Sequence, residues 1–296
     1  MTDLTIMGIL SRTESYFKEH SIDSPRLTAE MLLAHSLDLK RLDLYLQHDR
    51  PLQQNELSDY KALIRRRIQN EPVAYIIGEK GFFESDFEVA RNVLIPRPET
   101  EILVEEALKL LNHDPCDFCT QKVLELGAGS GAIIVSLAKA APRHLYMAND
   151  ISLPALEIAK KNACRIVGNR IGFFAGDWFS PLKDRPGFDL IVSNPPYIPL
   201  SDIRGLAPDI RKYEPKIALD GGDDGLLCFR TILKEAHQYL VPGGILLLEM
   251  GFDQKEGLEN IVKQSPEYES IEFINDLSGH NRVAKIKKSI DNNEQV

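Results

Sequence analysis

Residues 123–131 read Val-Leu-Glu-Leu-Gly-Ala-Gly-Ser-Gly, an apolar run that leads directly into three alternating glycines. A helical pattern then continues through Leu137. A buried strand, a loop that lets the backbone approach a ligand, and a helix N-terminus follow one another in this order in nucleotide-binding α/β proteins. The stretch therefore predicts such a unit. Because Ala132 comes next, the loop also satisfies the dinucleotide pattern G-x-G-x-x-A, so by itself it leaves the nucleotide open.

Downstream of this unit, apolar strand patterns alternate with helical ones. The further predicted strands are Tyr146–Asn149, Ile171–Ala175, Phe188–Ser193 and Ile245–Glu249, with two more near 271–274 and 282–286. Such alternation is typical of a parallel sheet with helices on both faces. The sequence therefore predicts an α/β domain.

Polar and aromatic residues follow the ends of three predicted strands. Asp150 ends the second strand, Trp178 follows the third, and Asn194 follows the fourth. Open α/β sheets bind ligands at the carboxyl ends of their strands. An acid after the second strand suits two ribose hydroxyls, and Trp178 can cover an adenine, whereas no pattern for hydride transfer follows the fourth strand. The arrangement predicts a class I S-adenosylmethionine (SAM) methyltransferase.

The tetrapeptide Asn194-Pro195-Pro196-Tyr197 suits a planar group that carries an NH2. The Asn194 side-chain oxygen accepts one hydrogen bond, and the carbonyl of Pro195, held stiffly by the next proline, accepts another. The Tyr197 ring can then cover the planar face. An amide or the exocyclic amine of a base fits these acceptors. The alternative interpretation is a tight Asn-Pro-Pro turn without a chemical role.

Residues 1 to about 70 show helical patterns and no strand pattern, with ten basic and ten acidic residues. The following residues, rich in aromatic and β-branched side chains, predict a hairpin. We therefore expect a helical domain at 1–71, a hairpin linker at 72–96 and a catalytic domain at 97–296. For the basic cluster Arg65–Arg67, a solvated helix face is favoured over a contact with an acidic or RNA partner.

The net charge of −9 argues against a protein that binds mainly phosphate backbones. No run approaches the roughly 20 apolar residues of a membrane span, and the first residues show no export signal. We therefore expect a cytoplasmic protein. Cys116 and Cys119 form a C-x-x-C without a second pair, for which reduced thiols are favoured over a zinc or redox site. No metal site is predicted.

Several longer stretches resemble the HemK/PrmC family, the N5-glutamine methyltransferases of peptide chain release factors, and the resemblance covers nearly the whole chain. It rests on residues 72–78 (Pro-Val-Ala-Tyr-Ile-Ile-Gly), 93–101 (Val-Leu-Ile-Pro-Arg-Pro-Glu-Thr-Glu), 127–131, 176–179 (Gly-Asp-Trp-Phe), 194–197, 213–215 (Tyr-Glu-Pro), 218–222 (Ala-Leu-Asp-Gly-Gly) and 279–282 (Gly-His-Asn-Arg). Asn-Pro-Pro-Tyr also occurs in adenine-N6 DNA methyltransferases, whereas Pro-Arg-Pro-Glu-Thr-Glu is much more specific. One departure is Glu125, where aspartate is commoner.

This resemblance implies a Rossmann-like class I methyltransferase with a mostly parallel seven-stranded sheet and SAM as cofactor. It implies that the substrate is the glutamine of the Gly-Gly-Gln loop of class 1 release factors, and that the N-terminal helical domain helps to hold the factor. Direct binding to nucleic acid or membrane is not expected. Two alternatives stay open. An adenine-N6 DNA methyltransferase would need a basic cleft, and a non-catalytic SAM- or NAD-binding module would need no acceptors after the fourth strand.

The predicted mechanism is direct in-line methyl transfer to an amide nitrogen. Hydrogen bonds from the amide to the tetrapeptide would turn the nitrogen lone pair toward the methyl group, so that positioning supplies most of the rate. The predicted catalytic residues are Asn194, Pro195 and Tyr197; the substrate site consists of these three and Pro196; and the cofactor-binding residues are Gly127, Ala128, Gly129, Ser130, Gly131, Asp150, Trp178 and Asn194.

Overall fold

The computed structural model describes residues 4–112, 119–182 and 187–290. The chain divides into two units, which we call the helical unit and the sheet unit. The helical unit comprises Met1–Glu79 with Ala207–Tyr213, and the sheet unit comprises Lys80–Leu206 with Glu214–Val296.

The elements follow one another in a simple order. The chain begins with α1 (Ile6–Glu19), α2 (Pro25–Ser36), α3 (Arg41–Leu46), α4 (Gln54–Ile68) and α5 (Val73–Ile77). It continues through β1 (Glu79–Phe82), β2 (Ser85–Glu88), a 3-10 turn (Pro98–Thr100), α6 (Glu101–Asn112), β3 (Lys122–Leu126), α7 (Ala132–Ala140), β4 (Leu145–Asp150), α8 (Leu153–Ile166), β5 (Ile171–Ala175) and β6 (Phe188–Ser193). The last elements are two 3-10 turns (Asp202–Gly205 and Lys216–Ala218) on either side of α9 (Pro208–Tyr213), then α10 (Leu227–Tyr239), β7 (Leu240–Glu249), α11 (Lys255–Lys263), β8 (Tyr268–Asn275) and β9 (Asn281–Lys288).

The helical unit is held by a core of its own. Ile6, Leu10 and Phe17 are spaced four and seven residues apart, so they share one face of α1, and all three are fully buried. Tyr60 of α4 is also buried, and its hydroxyl donates to the carbonyl of Ala29 at 3.1 Å. This bond satisfies the polar end of a ring that otherwise packs against apolar side chains.

The arginine cluster at the end of α4 is mostly structural. Arg66 donates to both carboxylate oxygens of Glu71, at 2.8 and 3.0 Å, and Arg67 is buried and donates to the Glu71 carbonyl at 3.1 Å. Only Arg65 of the three is exposed. The prediction of a solvated face is therefore wrong for Arg67, because the chain turns back after α4 and brings Glu71 to it, whereas the Arg66 side chain pairs with Glu71 and remains partly exposed.

The predicted hairpin linker begins later than expected. Residues Val73–Ile77 form α5, which ends at Gly78 with φ of +84°, and the hairpin consists of β1 and β2. The boundary predicted at residue 71 is too early, since the helical unit runs to Glu79, and it also contains α9 from far along the chain. Short helices like α5 and α9 carry too few apolar repeats to be distinguished by periodicity alone.

The main sheet of the sheet unit has seven strands in the order β5-β4-β3-β6-β7-β9-β8. The pairs from β5 through β7 are parallel, and β9 runs antiparallel to both of its neighbours. This arrangement confirms the predicted mostly parallel sheet. In the register of the central strands, Leu126 lies beside both Asn149 and Ser193. The carboxyl ends of β3, β4 and β6 therefore meet at one edge of the sheet.

Helices cover both faces of the sheet because its buried strands alternate their side chains between two cores. Val123 packs in the cluster that contains residues of α6 and α7, whereas the next residue, Leu124, packs in the cluster that contains residues of α10. In the part of the chain that the structure describes, no helix is both long and apolar enough to cross a bilayer.

The cysteines differ from the prediction of reduced thiols at one position. Cys164 and Cys228 are free, but Cys119 is disulfide-bonded, so the prediction is wrong for Cys119. Cys116, the other residue of the C-x-x-C, lies outside the described residues. Sequence spacing did not indicate this bond because one C-x-x-C suits a metal, a redox pair or free thiols equally well.

The glycine loop between β3 and α7 depends on the last of its glycines. Gly131 has φ of +78°, and a Cβ on it would lie 3.2 Å from the Cβ of Ala159 in α8. A side chain at position 131 is unfavourable for two reasons: the backbone is in the left-handed region, and the neighbouring helix α8 is too close. The loop can therefore approach α8 only with glycine at this position.

Replacing Gly131 by alanine should consequently cost more stability than the same change at Gly168. Gly168 has a similar φ of +71° but nothing within 4 Å of an added Cβ. Gly168→Ala should lose about 1 kcal/mol of unfolding free energy from the backbone alone, and Gly131→Ala should lose roughly 1–3 kcal/mol more from overpacking. Denaturant unfolding of both variants measures the difference; equal losses would contradict this packing.

Candidate active site

A cavity of about 290 Å³ opens at the carboxyl edge of β3, β4 and β6. Its lining contains most of the predicted site residues, namely Gly127, Ala128, Gly129, Ser130, Asp150, Trp178, Asn194 and Pro196. Gly131, Pro195 and Tyr197 do not line it. Gly131 lies one residue before α7, Pro195 is buried, and Tyr197 packs behind the cavity wall. The structure therefore gathers residues from four separate loops around one space.

Asp150 is held rigidly at the tip of β4. Its Oδ2 accepts a hydrogen bond from the Gly129 backbone N–H at 2.8 Å, and its Oδ1 accepts one from Ser152 at 2.8 Å. Burial raises the pKa of Asp150, and these backbone donors oppose that rise. Each carboxylate oxygen can accept more than one hydrogen bond, so acceptor capacity remains for a ligand hydroxyl in the cavity.

Trp178 is held in place by Asn149, a residue that the sequence did not single out. The buried Asn149 side chain donates to the carbonyls of Gly176 and Trp178, at 3.1 and 2.6 Å. These two bonds fasten the turn after β5, where Trp178 has an unusual φ of +42°. Within the described residues, the Oδ1 of Asn149 is buried and has no hydrogen-bond partner. No local signal distinguishes this asparagine from an ordinary strand residue.

Glu125 is the acid of β3 that departs from the common aspartate. It is 1 % exposed, and it accepts a hydrogen bond from the backbone N–H of Ile134 at 3.1 Å while lining the cavity. Burial raises the pKa of Glu125 well above its usual value, and the nearby charge of Asp150 adds to the rise. The longer side chain thus reaches α7 and anchors the helix behind the glycine loop.

Asn194 presents a defined end of its amide to the cavity. Its Nδ2 donates to the Thr100 hydroxyl oxygen at 3.2 Å, and Thr100 is buried at the end of the Pro98–Thr100 turn. Thr100 thus engages one of the two N–H groups of Asn194, and the amide oxygen can accept a hydrogen bond from a ligand. The stretch at residues 93–101, quoted above for the family resemblance, therefore also supplies a partner for Asn194, which its sequence did not reveal.

The backbone after Asn194 is locked by the motif at 218–222. The N–H of Ile198 donates to the Leu219 carbonyl at 3.0 Å, and the N–H of Gly221 donates to the Ile198 carbonyl at 2.9 Å. A Cβ on Gly221 would lie 2.8 Å from the Cα of Tyr197, so only glycine allows this approach. Gln254 adds a hydrogen bond from its Nε2 to the Tyr197 carbonyl at 2.9 Å. The tetrapeptide is thereby fixed from two sides.

The opposite wall of the cavity is tied down by Glu214. This buried carboxylate accepts from the Ile95 backbone N–H at 3.3 Å and from the Arg97 guanidinium at 2.6 Å. Pro96, Arg97 and Pro215 all line the cavity. The ion pair explains why the stretches at 93–101 and 213–215 occur together in this chain.

Sheet order, glycine loop and strand-tip residues together define a SAM-dependent methyltransferase of class I. Two family models match: the PrmC N-terminal domain at residues 9–78 and the Methyltransferase small domain at residues 100–204. A release factor glutamine methyltransferase of Geobacter sulfurreducens is 44% identical over 85% of this chain and 86% of its own length. The release factor glutamine methyltransferase of Rhodopirellula baltica is 37% identical over 97% of this chain and 98% of its own length. The chain belongs to the family of release factor glutamine methyltransferases, and the resemblance noted from the sequence is confirmed.

Solved structures of other methyltransferases share the fold alone. The hMettl16 catalytic domain, solved with an RNA hairpin, has a TM-score of 0.54 and 13% identity over 70% of this chain and 76% of its own. The T. thermophilus 16S rRNA methyltransferase RsmC, solved with AdoMet and guanosine, has a TM-score of 0.50 and is 18% identical over 71% of this chain and 49% of its own length. These likenesses confirm the fold class.

The residues around the cavity fit SAM. The glycine loop leaves backbone exposed to a ligand, Asp150 keeps acceptor capacity for ribose hydroxyls, and Trp178 provides a flat apolar wall. The acidic side chains Glu125 and Asp150 also suit a ligand that carries positive charge. SAM, with its sulfonium and amino groups, matches this donor and acceptor set better than a dinucleotide with its two phosphates does.

Proposed function

We propose that this chain transfers the methyl group of SAM to the side-chain N5 of the glutamine in the Gly-Gly-Gln loop of class 1 peptide chain release factors. The observation that carries the proposal is the Asn194 amide, which lines the cavity and is held by a hydrogen bond from its NH2 to Thr100 at 3.2 Å. The names of the relatives, which are release factor glutamine methyltransferases, support the same substrate.

The proposed mechanism depends on orientation of a poor nucleophile. An amide nitrogen attacks weakly because its lone pair is delocalised into the carbonyl. Asn194, which lines the cavity, accepts an N–H group of the amide through Oδ1 and thereby turns the lone pair toward the reacting carbon, while Pro195 and Tyr197, which do not line the cavity, hold the tetrapeptide from behind. When bound, SAM supplies an electrophilic methyl group on a sulfonium. Transfer of this methyl group would leave the donor as a neutral thioether, and the amide nitrogen would lose one proton to solvent; the residues of the site contribute positioning, which accounts for most of the rate.

The remaining site residues hold the methyl donor. In this proposal Asp150 accepts from the ribose hydroxyls, Trp178 packs on the adenine, and the backbone of the loop Gly127–Gly131 approaches the rest of the cofactor. The rigidity of these groups supports the assignment, because Asp150 is fixed by two backbone N–H groups and the Trp178 turn is fixed by Asn149. A preorganised site loses little freedom on binding.

Methylation assays with three acceptors test the substrate. Labelled SAM should transfer its methyl group to an intact release factor, but neither to the factor whose loop glutamine is changed to alanine nor to adenine-containing DNA. Peptide mass spectrometry should place the methyl group on the glutamine. If DNA is methylated and the release factor is not, the adenine-N6 alternative is established. If SAM binds but no acceptor is methylated, a non-catalytic module is favoured.

We further propose that the helical unit holds the release factor, as part of cytoplasmic translation termination and without direct contact to nucleic acid. Exposed apolar side chains on α3 support this role. Leu42 and Leu46, four residues apart and so on one helix face, are 68% and 71% exposed. Side chains of this kind gain free energy when a partner covers them.

Replacing Leu42 and Leu46 together by serine should raise KM for the intact factor roughly 100-fold or more, since full burial of each leucine contributes on the order of 1.5–3 kcal/mol. The rate at saturating factor should stay near that of the wild type. Lys61→Ala, at another exposed position of the same unit, is the matched control. An unchanged KM for the double variant would show that α3 does not hold the factor.

A further inference from the structure

Asn162 on α8 is a fully buried polar side chain that does not line the cavity. Its Nδ2 donates to the carbonyls of Glu88 and Ser130, at 3.0 and 2.9 Å. Its Oδ1 accepts from the Glu88 backbone N–H at 2.8 Å and from the Arg165 guanidinium at 3.3 Å. Turning the amide over would set its oxygen against two carbonyls and its NH2 against two donors, so the side chain has one orientation.

The two backbone segments that Asn162 joins both lead to walls of the cavity. Ser130 belongs to the glycine loop and lines the cavity itself. Glu88 ends β2, and the chain runs on from it into residues 92–97, which we call the strap. Every residue of the strap except Ile95 lines the cavity. One side chain on α8 therefore holds both the glycine loop and the start of the segment that leads to the strap.

The strap depends on such contacts because its residues lie outside helices and strands. Its far end is fixed by Glu214, which accepts from the Ile95 N–H at 3.3 Å and from Arg97 at 2.6 Å. The segment before it is fixed by Asn162 through both backbone groups of Glu88. A stretch without a backbone ladder of its own takes its position from the side chains that hold its two ends.

The glycine loop receives a second support from the same helix. A Cβ on Gly131 would lie 3.2 Å from the Cβ of Ala159 in α8, so the loop packs closely there. Ala159 and Asn162 are three residues apart and so share one face of α8. This face supports the loop by packing at Gly131 and by a hydrogen bond to Ser130. The hydrogen bond therefore holds the residue next to this packing contact.

We propose that Asn162 is a positioning residue for the cofactor, which holds the glycine loop and the strap at the separation that SAM requires. The inference rests on the proposed function, because it takes the cavity between these segments to be the SAM site. Asn162 acts through Ser130 and Glu88, and it contacts neither the methyl donor nor the acceptor amide. Holding both walls before SAM arrives lowers the ordering cost of binding and so raises the affinity.

The wild-type protein supplies the first test, because coupling between two sites is reciprocal. If the Asn162 contacts favour SAM binding, bound SAM must in turn stabilise them. The Glu88 amide donates to Asn162 and does not line the cavity, so it reports these contacts from outside the SAM site. Hydrogen exchange of this amide should slow roughly 10-fold at saturating SAM. Local opening in β8, at the far edge of the sheet, should keep its rate and is the control.

Two variants at residue 162 supply the second test. Asn162→Asp keeps the acceptor oxygen for the Glu88 N–H but loses the NH2 that holds both carbonyls, and Asn162→Ala removes all four hydrogen bonds. Calorimetry should show SAM binding roughly 10-fold weaker in each, the effect of a lost buried hydrogen bond. The methylation rate at saturating SAM and factor should stay near that of wild type, because other contacts hold Asn194 and Tyr197.

Two controls on α8 separate positioning from stability. Lys161→Ala removes an ion pair with the Glu88 carboxylate at 3.3 Å but leaves the Glu88 backbone bonds in place, so SAM affinity should not change. Ile158→Val removes a buried methylene from the same helix, and it should lower the thermal midpoint without weakening SAM binding. If Asn162 only stabilised the fold, its variants would behave like Ile158→Val.

Three results would contradict the proposal: unchanged SAM affinity in both Asn162 variants, a loss of affinity in Ile158→Val as large as theirs, or Glu88 exchange that SAM does not slow. The exchange measurement uses the wild type, so it decides the question even if the Asn162 variants do not fold. If the wild type binds no SAM at all, the proposed function fails instead. The two failures are therefore distinguishable.

Discussion

The site depends on the parallel register of the three central strands. Leu126, Asn149 and Ser193 are paired across β4, β3 and β6, so the residues that follow them, Gly127, Asp150 and Asn194, emerge at the same edge. Parallel strands repeat their direction, and each therefore delivers its next loop to this edge. A shift of one residue in either pairing would separate the cofactor side of the cavity from the acceptor side.

Next to these paired strands, several buried polar side chains hold the backbone of the site in place. Asn149 fastens the turn that carries Trp178, Glu214 fastens the wall at Ile95 and Arg97, and Gln254 fastens the Tyr197 carbonyl. Each is a non-local contact, and each holds backbone rather than ligand. Such an arrangement suits a reaction in which the acceptor amide is a weak nucleophile, because a fixed geometry substitutes for a strong base.

Much of the architecture could be predicted from the sequence, because it is encoded locally. The alternation of strand and helix patterns, the glycine loop and the tetrapeptide each lie within a short stretch, and the mostly parallel sheet followed from them. The family resemblance supplied the seven-strand count.

Periodicity could not show α5 or α9, which are five and six residues long. The roles of Thr100 and Asn149 depend on partners 94 and 29 residues away, and no local pattern carries that information. The solvated face predicted for the arginine cluster was wrong at Arg67 for the same reason, since Glu71 meets Arg67 only after the chain turns.

The central claim is that the Asn194 side-chain oxygen orients the acceptor amide. Its most direct test is the single-turnover methylation rate of wild type, Asn194→Asp and Asn194→Ala at saturating SAM, with the thermal midpoint as a check on folding. Aspartate keeps an acceptor oxygen and alanine keeps none, so Asn194→Ala should be slower than wild type by on the order of 100-fold or more, with Asn194→Asp between them. Equal rates for wild type and Asn194→Ala would contradict the account.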